Sequence, residues 1–213
     1  MKKLFPLFFA FVAVMFASCE KEPNLDKLDN EYLVYTQYDK KANFKADTTF
    51  YIPDSILVIT GSKDPVYWNK DNSNAQQIID TYVANMQDRG YKRVDEKADA
   101  NLGLQLSYIE NTSYFVGNNN YWWWDYPGYW GPNYWGNGWN NWYYPYPVVY
   151  SYTVGSLLTE MVDLTAPTTG TSNKLPVIWN CYITGLANGG TLSLQKTIKA
   201  VNQAFVQSPY IKH

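Results

Sequence analysis

Few side chains in this sequence are equipped for chemistry. The only histidine, His213, is the last residue of the sequence. This leaves no Ser-His-Asp or Cys-His arrangement and almost no imidazole metal site. Ser193 to Lys196 reads SLQK, the Ser-x-x-Lys spacing of a serine nucleophile at a helix start. The companion Ser-Asp-Asn and Lys-Thr-Gly motifs are missing, and a serine at that place has an ordinary use as an N-cap. Asn69, Asp71, Ser73 and Asp80 have the order of calcium-loop ligands, but Asn74 stands where such a loop requires glycine. No pair of carboxylates is picked out for glycoside hydrolysis, and neither a Gly-x-Ser-x-Gly elbow nor a phosphate-binding glycine loop occurs. The expectation is a protein that is not an enzyme, with no catalytic residues, no metal and no cofactor.

Recognition chemistry, by contrast, is concentrated in one place. Residues 121–147 read YWWWDYPGYWGPNYWGNGWNNWYYPYP, with seven tryptophans, seven tyrosines and a single charge, Asp125. The other two of the nine tryptophans are Trp68 and Trp179. Gly, Pro and Asn at this spacing prevent a helix and favour serial turns, each displaying a ring or two. A connection of about thirty residues is too long to be passive. Aromatic enrichment with charge depletion is the reverse of a disordered composition. Four uses compete: a lid of rings packed on the sheet, a protein interface with itself or an envelope partner, stacking of sugar rings beside Asp125 and the asparagines, or docking into a lipid headgroup layer. The binding uses together outweigh the lid. The candidate contact residues are Trp122, Trp123, Trp124, Asp125, Tyr129, Trp130, Tyr134, Trp135, Trp139, Trp142 and Tyr143.

The sequence opens MKKLFPLFFAFVAVMFASCE, with Lys2 and Lys3 before an apolar run from Leu4 to Ala17. That run is too short for a stop-transfer helix and fits a secretory h-region. Ala17 and Ser18 precede Cys19, so residues 1–18 resemble a bacterial lipoprotein signal, with Cys19 as the lipid attachment site. By Gram-negative sorting rules, Glu20 after that cysteine implies the outer membrane, the domain facing either the periplasm or the outside. Residues 19–30 read as a charged tether and 31–213 as one domain, with the aromatic insertion at 117–147. Removing Lys2 and Lys3 leaves 15 basic against 19 acidic residues, a net charge of −4. That balance gives no basic patch for nucleic acid. With Cys19 acylated, Cys181 has no partner for a disulfide and reads as a small buried thiol.

The elements that must position the insertion are legible in outline. Strands are expected at 31–38 and 55–60, and the lysine-rich link between them reads as a loop. Ile78, Ile79, Tyr82, Val83 and Met86 recur at helical spacing, with Asn72 to Asn74 offering an N-cap and Gly90 a C′ residue. In 98–108, Ala100, Leu102, Leu104, Leu106 and Tyr108 alternate with Asn101, Gly103, Gln105 and Ser107, the pattern of a half-buried strand. β-rich runs follow at 148–164 and around Trp179, where Val177, Trp179, Cys181 and Ile183 are expected on one face. A last helix carries Leu194, Ile198, Val201 and Phe205 and stops at Pro209. The expected fold is α+β: a mostly antiparallel sheet of about five strands, two helices packed on one face, and the aromatic loop capping the turn between the third and fourth strands.

These residues resemble the bacterial lipoprotein family of the domain of unknown function numbered 4136. The likeness rests on VGSLLTEMVDLTA, LPVIWNCYITG and IKAVNQAFVQSP, with Gly155, Leu157, Asp163, Trp179, Gly185, Phe205 and Pro209 at the recurring positions. The segment YVANMQDRGYKRVDEKADANLGLQLSY fits the family's earlier half, so the resemblance runs from about Tyr32 to Pro209. It implies a lipid-anchored envelope protein, and members commonly carry an aromatic, Gly- and Pro-rich insertion where this chain does. The partners expected are a membrane through the N-terminal lipid, an envelope protein or a second copy, and a glycan, with no nucleic acid.

Overall fold

The computed structural model describes residues 32–62, 64–69, 71–111, 141–148, 153–166, 174–188 and 191–213. The signal segment, Cys19, the tether and positions 112–140 of the insertion region lie outside them.

Eleven strands and two α-helices follow one another in the described residues. They are β1 Leu33–Tyr38, β2 Thr49–Tyr51, β3 Ile56–Ile59, β4 Val66–Trp68, α1 Ser73–Asp88, β5 Lys92–Arg93, a 3-10 turn at Lys97–Asp99 and β6 Leu102–Ile109. There follow β7 Asn141–Tyr143, β8 Ser156–Asp163, β9 Lys174–Thr184, the pair β10 Ala187–Asn188 and β11 Thr191–Leu192, and α2 Leu194–Val206. The expectation of about five strands is corrected: nine form one mixed sheet, in the order β1-β9-β8-β6-β2-β5, with β3 and β4 beside β6 and β7 on β9. The long central strands β1, β9, β8 and β6 are antiparallel, whereas β2 and β3 pair in parallel with β6, β5 with β2, and β7 with β9. β2 holds the start of β6 (Phe50 opposite Leu102) and β3 its end (Ile59 opposite Ile109), so two short strands share one edge of β6.

The helices form where the sequence caps them. Asn72 accepts hydrogen bonds from the Asn74 and Ala75 amides at 3.1 and 3.2 Å, occupying two of the donors a helix start leaves free. At the other end of α1, Gly90 takes φ +96°, and the Tyr91 and Gly90 amides donate to the Met86 and Gln87 carbonyls. This is a Schellman closure, which glycine enters without a Cβ penalty. Ser193 occupies the N-cap position of α2, but its side chain makes no capping bond there. The helices are tied by Asn85 to Asn202 at 2.7 Å and by Arg89, which donates to the Phe205 carbonyl at 2.9 Å with its guanidinium 4.7 Å from the Phe205 ring centre.

One core lies between these helices and the sheet. Ile78, Ile79, Tyr82 and Met86 of α1 and Ala200, Val201, Ala204 and Phe205 of α2 pack with Leu102, Leu104, Leu106, Leu157, Met161, Trp179, Cys181 and Ile183. Its polar atoms are paired: Tyr82 Oη lies 2.6 Å from Thr159 Oγ1, and Trp179 Nε1 donates to Ser208 Oγ at 2.9 Å. Val177 departs from the face expected of it. It joins a second core, beyond a register shift between Met161 and Val162 that displaces the start of β9 relative to β8. That second core, on the face away from the helices, holds Leu57, Ile59, Ile109, Trp142, Leu158, Val162, Leu175, Val177 and Tyr182. β6 is therefore buried on both faces along its whole length, not half-buried as its alternation predicts. No helix among the described residues is long and apolar enough to cross a membrane.

Candidate functional site

The second face of the sheet carries an unusual row. Registers align Gln37 of β1 with Asn180 of β9, Asn180 with Glu160 of β8, and Glu160 with Gln105 of β6. Four polar residues thus stand side by side across the four central strands, all on the face away from the helices. Glu160 and Gln105 are fully buried and Asn180 is 1 % exposed. Buried amides and carboxylates are tolerated only where hydrogen bonds replace water. The tail of the aromatic insertion supplies several of them. Tyr144 donates to Glu160 Oε1 at 2.5 Å, Tyr146 donates to Asn180 Oδ1 at 2.9 Å, and Gln37 Nε2 donates to the Pro147 carbonyl at 3.2 Å. Gln105 Nε2 bonds to the Leu106 carbonyl and to Ser107 Oγ.

The segment YYPYP thus crosses β8, β9 and β1 in succession, with one polar contact on each strand. Its two inner tyrosine rings meet edge to face, 5.5 Å between centres, a favoured arrangement of aromatic quadrupoles. Burial, and then the negative charge of Glu160, hold the Tyr146 phenol well above the usual tyrosine range, so it remains a donor. Before this crossing, β7 pairs with Lys174–Pro176 at the end of the sheet where β9 begins. After it, the Thr153 amide donates to Tyr182 Oη at 2.7 Å and the Gly155 amide to the Ile109 carbonyl at 2.8 Å, at the opposite end. The described residues 141–148 therefore lie on the sheet face from the start of β9 to the polar row, and Thr153 and Gly155 are held at the opposite end. The insertion does not merely cap the turn between the strands it joins.

Of the eleven candidate contact residues, Trp122, Trp123, Trp124, Asp125, Tyr129, Trp130, Tyr134, Trp135 and Trp139 lie outside the described residues. Trp142 is 1 % exposed and belongs to the second core, whereas Tyr143 beside it is 36 % exposed. Alternation along a strand puts the two on opposite sides, one inward and one outward. Sequence reasoning missed Tyr144, Tyr146, Glu160 and Asn180. The available signal was a glutamate in the middle of the apolar run SLLTEMV, beside a tyrosine-rich segment able to donate to it.

The other motifs resolve into structure. Asn69 Oδ1 accepts from the Asp71 amide at 3.0 Å, closing a turn ahead of the Asn72 cap, and Asp80 accepts from Gln76 at 2.8 Å. Thr197 donates to the Ser193 carbonyl at 2.8 Å within the first turn of α2. Cys181 is buried, and burial pushes its thiol pKa well above the ordinary range, which keeps it protonated and unreactive. Among the described residues no three His, Cys, Asp or Glu side chains stand together as metal ligands would.

Residues 34–210 match the model of the family described as "Domain of unknown function (DUF4136)". A crystal structure of a DUF4136 family protein from Bacteroides thetaiotaomicron is 52 % identical, with a TM-score of 0.76 over 86 % of this chain and 99 % of that one. The chain belongs to the DUF4136 family. A second structure, the PelC dodecamer from Paraburkholderia phytofirmans, aligns over 85 % of this chain and 99 % of that one at 12 % identity and a TM-score of 0.39. No curated protein matches the chain.

Proposed function

We propose that this DUF4136 family member is a non-catalytic binding or assembly module of the cell envelope. It is held on the outer membrane by lipid on Cys19 and makes contact through its aromatic insertion. The observation that carries the proposal is the fixing of the insertion's tail on the buried polar row by Tyr144, Tyr146 and the Pro147 carbonyl. A recognition surface works best when rigid elements support it, and here the receiving side chains Glu160 and Asn180 are buried in the sheet while Tyr143 faces outward. Acyl chains contribute about 0.8 kcal/mol per buried methylene, enough with two or more chains to hold the domain at a membrane without a spanning helix.

One observation favours the alternative of an insertion that serves wholly as cover, in an accessory subunit of an envelope machine: Trp142 is buried in the second core. A glycan remains the other partner that the ring-and-asparagine composition suits.

Sedimentation velocity across a range of concentrations, with and without solubilised envelope, tests the contact role. The chain beginning at Glu20 is compared with one in which a short Gly-Ser linker replaces residues 117–140. The proposal expects a larger species that only the complete insertion forms. Identical behaviour of the two chains in every condition would remove it. The anchor is tested separately: Cys19→Ser should shift the protein from the membrane fraction to the soluble fraction and abolish incorporation of labelled palmitate.

A further inference from the structure

On the helix side of the sheet, away from the insertion's docking row, there is a cavity of about 280 Å³. Four elements build it. The end of β4 contributes Trp68, the end of β6 Tyr108 and then Glu110, the start of α1 Asn72 and Asn74, and β11 Leu192 and Thr191. Trp68 is half-buried and Tyr108 almost fully so, their ring centres 4.6 Å apart, which makes one wall a fixed aromatic surface. Facing it are side chains that donate and accept without a strong field of charge. Asn72 spends its side-chain oxygen on the helix cap, which leaves its side-chain nitrogen, and the side-chain amide of Asn74, unlike its backbone N–H, enters no hydrogen bond among the described residues. Among the described lining residues Glu110 carries the only acidic side chain and there is no basic one, so they favour a neutral ligand over an anionic one.

We propose that this cavity is a binding site for a single uncharged pyranose ring, stacked on Trp68 and hydrogen-bonded by Asn74, Asn72 and Glu110. The axial C–H bonds of a sugar face carry slight positive charge and meet the negative face of an indole. Paired amides and a carboxylate match the alternating donor and acceptor of vicinal hydroxyls. The volume lies just below the roughly 300–1,000 Å³ of sites for drug-sized ligands, which suits one ring and not a chain. Leu192 offers an apolar contact for a substituent such as an acetamido methyl. None of these lining residues belongs to 112–148, so binding here can fail while the role proposed for the insertion stands, and the reverse.

Isothermal titration calorimetry on the full chain tests it, in a detergent whose headgroup is not a sugar, with N-acetylglucosamine, glucose and glucuronate as probes. The expected result is saturable binding of a neutral sugar with a dissociation constant on the order of 1 mM, as ligand size allows. Glucuronate should bind at least about tenfold more weakly because it meets Glu110, and Glu110→Gln should narrow that gap. Trp68→Ala should weaken neutral-sugar binding at least about tenfold, with Trp68→Phe restoring much of it. Trp68 also touches the helix-side core, so the exposed Asn74→Ala provides a variant that keeps the fold and is expected to weaken binding severalfold. Absence of heat from both neutral sugars at tens of millimolar would overturn the proposal. So would binding that Asn74→Ala and Trp68→Ala both leave unchanged, or glucuronate binding as tightly as glucose.

Discussion

A carboxylate at the centre of a sheet is tolerated only through its partners, and Glu160 makes the insertion answerable to the core. Tyr144→Phe removes one charge-assisted donor from a fully buried group while leaving ring volume unchanged. Hydrogen bonds to charged groups contribute about 1.5–3 kcal/mol, so the variant should lower stability by that order, read as a shift of the urea midpoint at constant slope. Adding Glu160→Gln should recover part of the loss, because two neighbours in one network are not additive. A second residue sets the pH dependence. Asp47 is 8 % exposed, and burial, reinforced by the charge of Asp163, raises its pKa to about 6. In the unfolded chain an aspartate titrates near 3.9. Between these values the folded state holds the proton more tightly, so this residue's contribution makes stability fall as pH rises from about 4 to about 6 and then level off. Asp47→Asn should remove that decline, with the largest gain above pH 6 and little change below pH 4. A pH series of denaturation curves that is parallel for the two chains would show that Asp47 is not the source.

Elements, rather than residues, explain how the two faces are held in register. Gly155, just before β8, takes φ +76°, its amide bonded to the Ile109 carbonyl and its carbonyl to the Leu186 amide. A Cβ built there would lie 2.7 Å from Ala187 Cβ. Gly155→Ala should therefore cost about 1–3 kcal/mol in backbone strain, with overpacking against β10 added. A lowered melting temperature with an unchanged helix signal in circular dichroism would show it, and an unchanged melting temperature would refute it. The same elements explain what the sequence disclosed. β1, β3, both helices and the Trp179 strand announced themselves because each presents several periodic apolar residues with a cap or turn at its ends. β2, β4, β5 and β7 have two or three residues each, below the length at which any period can be recognised. The parallel pairing of β2, β5 and β7 depends on long-range register that no local pattern records. Gln105 and Ser107 read as solvent-facing because they are polar, whereas they are buried beneath cover that comes from distant parts of the chain. Aromatic composition located the insertion, but the row that receives its tail emerges only when Gln37, Asn180, Glu160 and Gln105 are brought level by the sheet.

At the scale of the molecule, one sheet serves two covers of different origin. The helices close one face through local, periodic apolar contacts. The tail of the insertion crosses the other through polar contacts on three successive strands. Since Trp142, Tyr144 and Tyr146 all lie beyond residue 140, these contacts belong to the tail itself. Replacing residues 117–140 by a short linker should thus leave unfolding cooperative and stability within about 1 kcal/mol of the parent, the change in loop-closure entropy being small. The replacement also removes six of the nine tryptophans and leaves Trp68, Trp142 and Trp179. Of these, Trp142 and Trp179 are buried and Trp68 is half-buried, so the shortened chain should emit in the blue. The difference spectrum between the two chains then reports on the six removed rings alone. A contact surface predicts a difference spectrum close to free indole in water that shifts to the blue when a partner or second copy is added. A blue difference spectrum that is indifferent to dilution, with a loss of several kcal/mol on shortening, would instead make the whole insertion part of the fold. The binding role proposed for it would then have no surface left to act through.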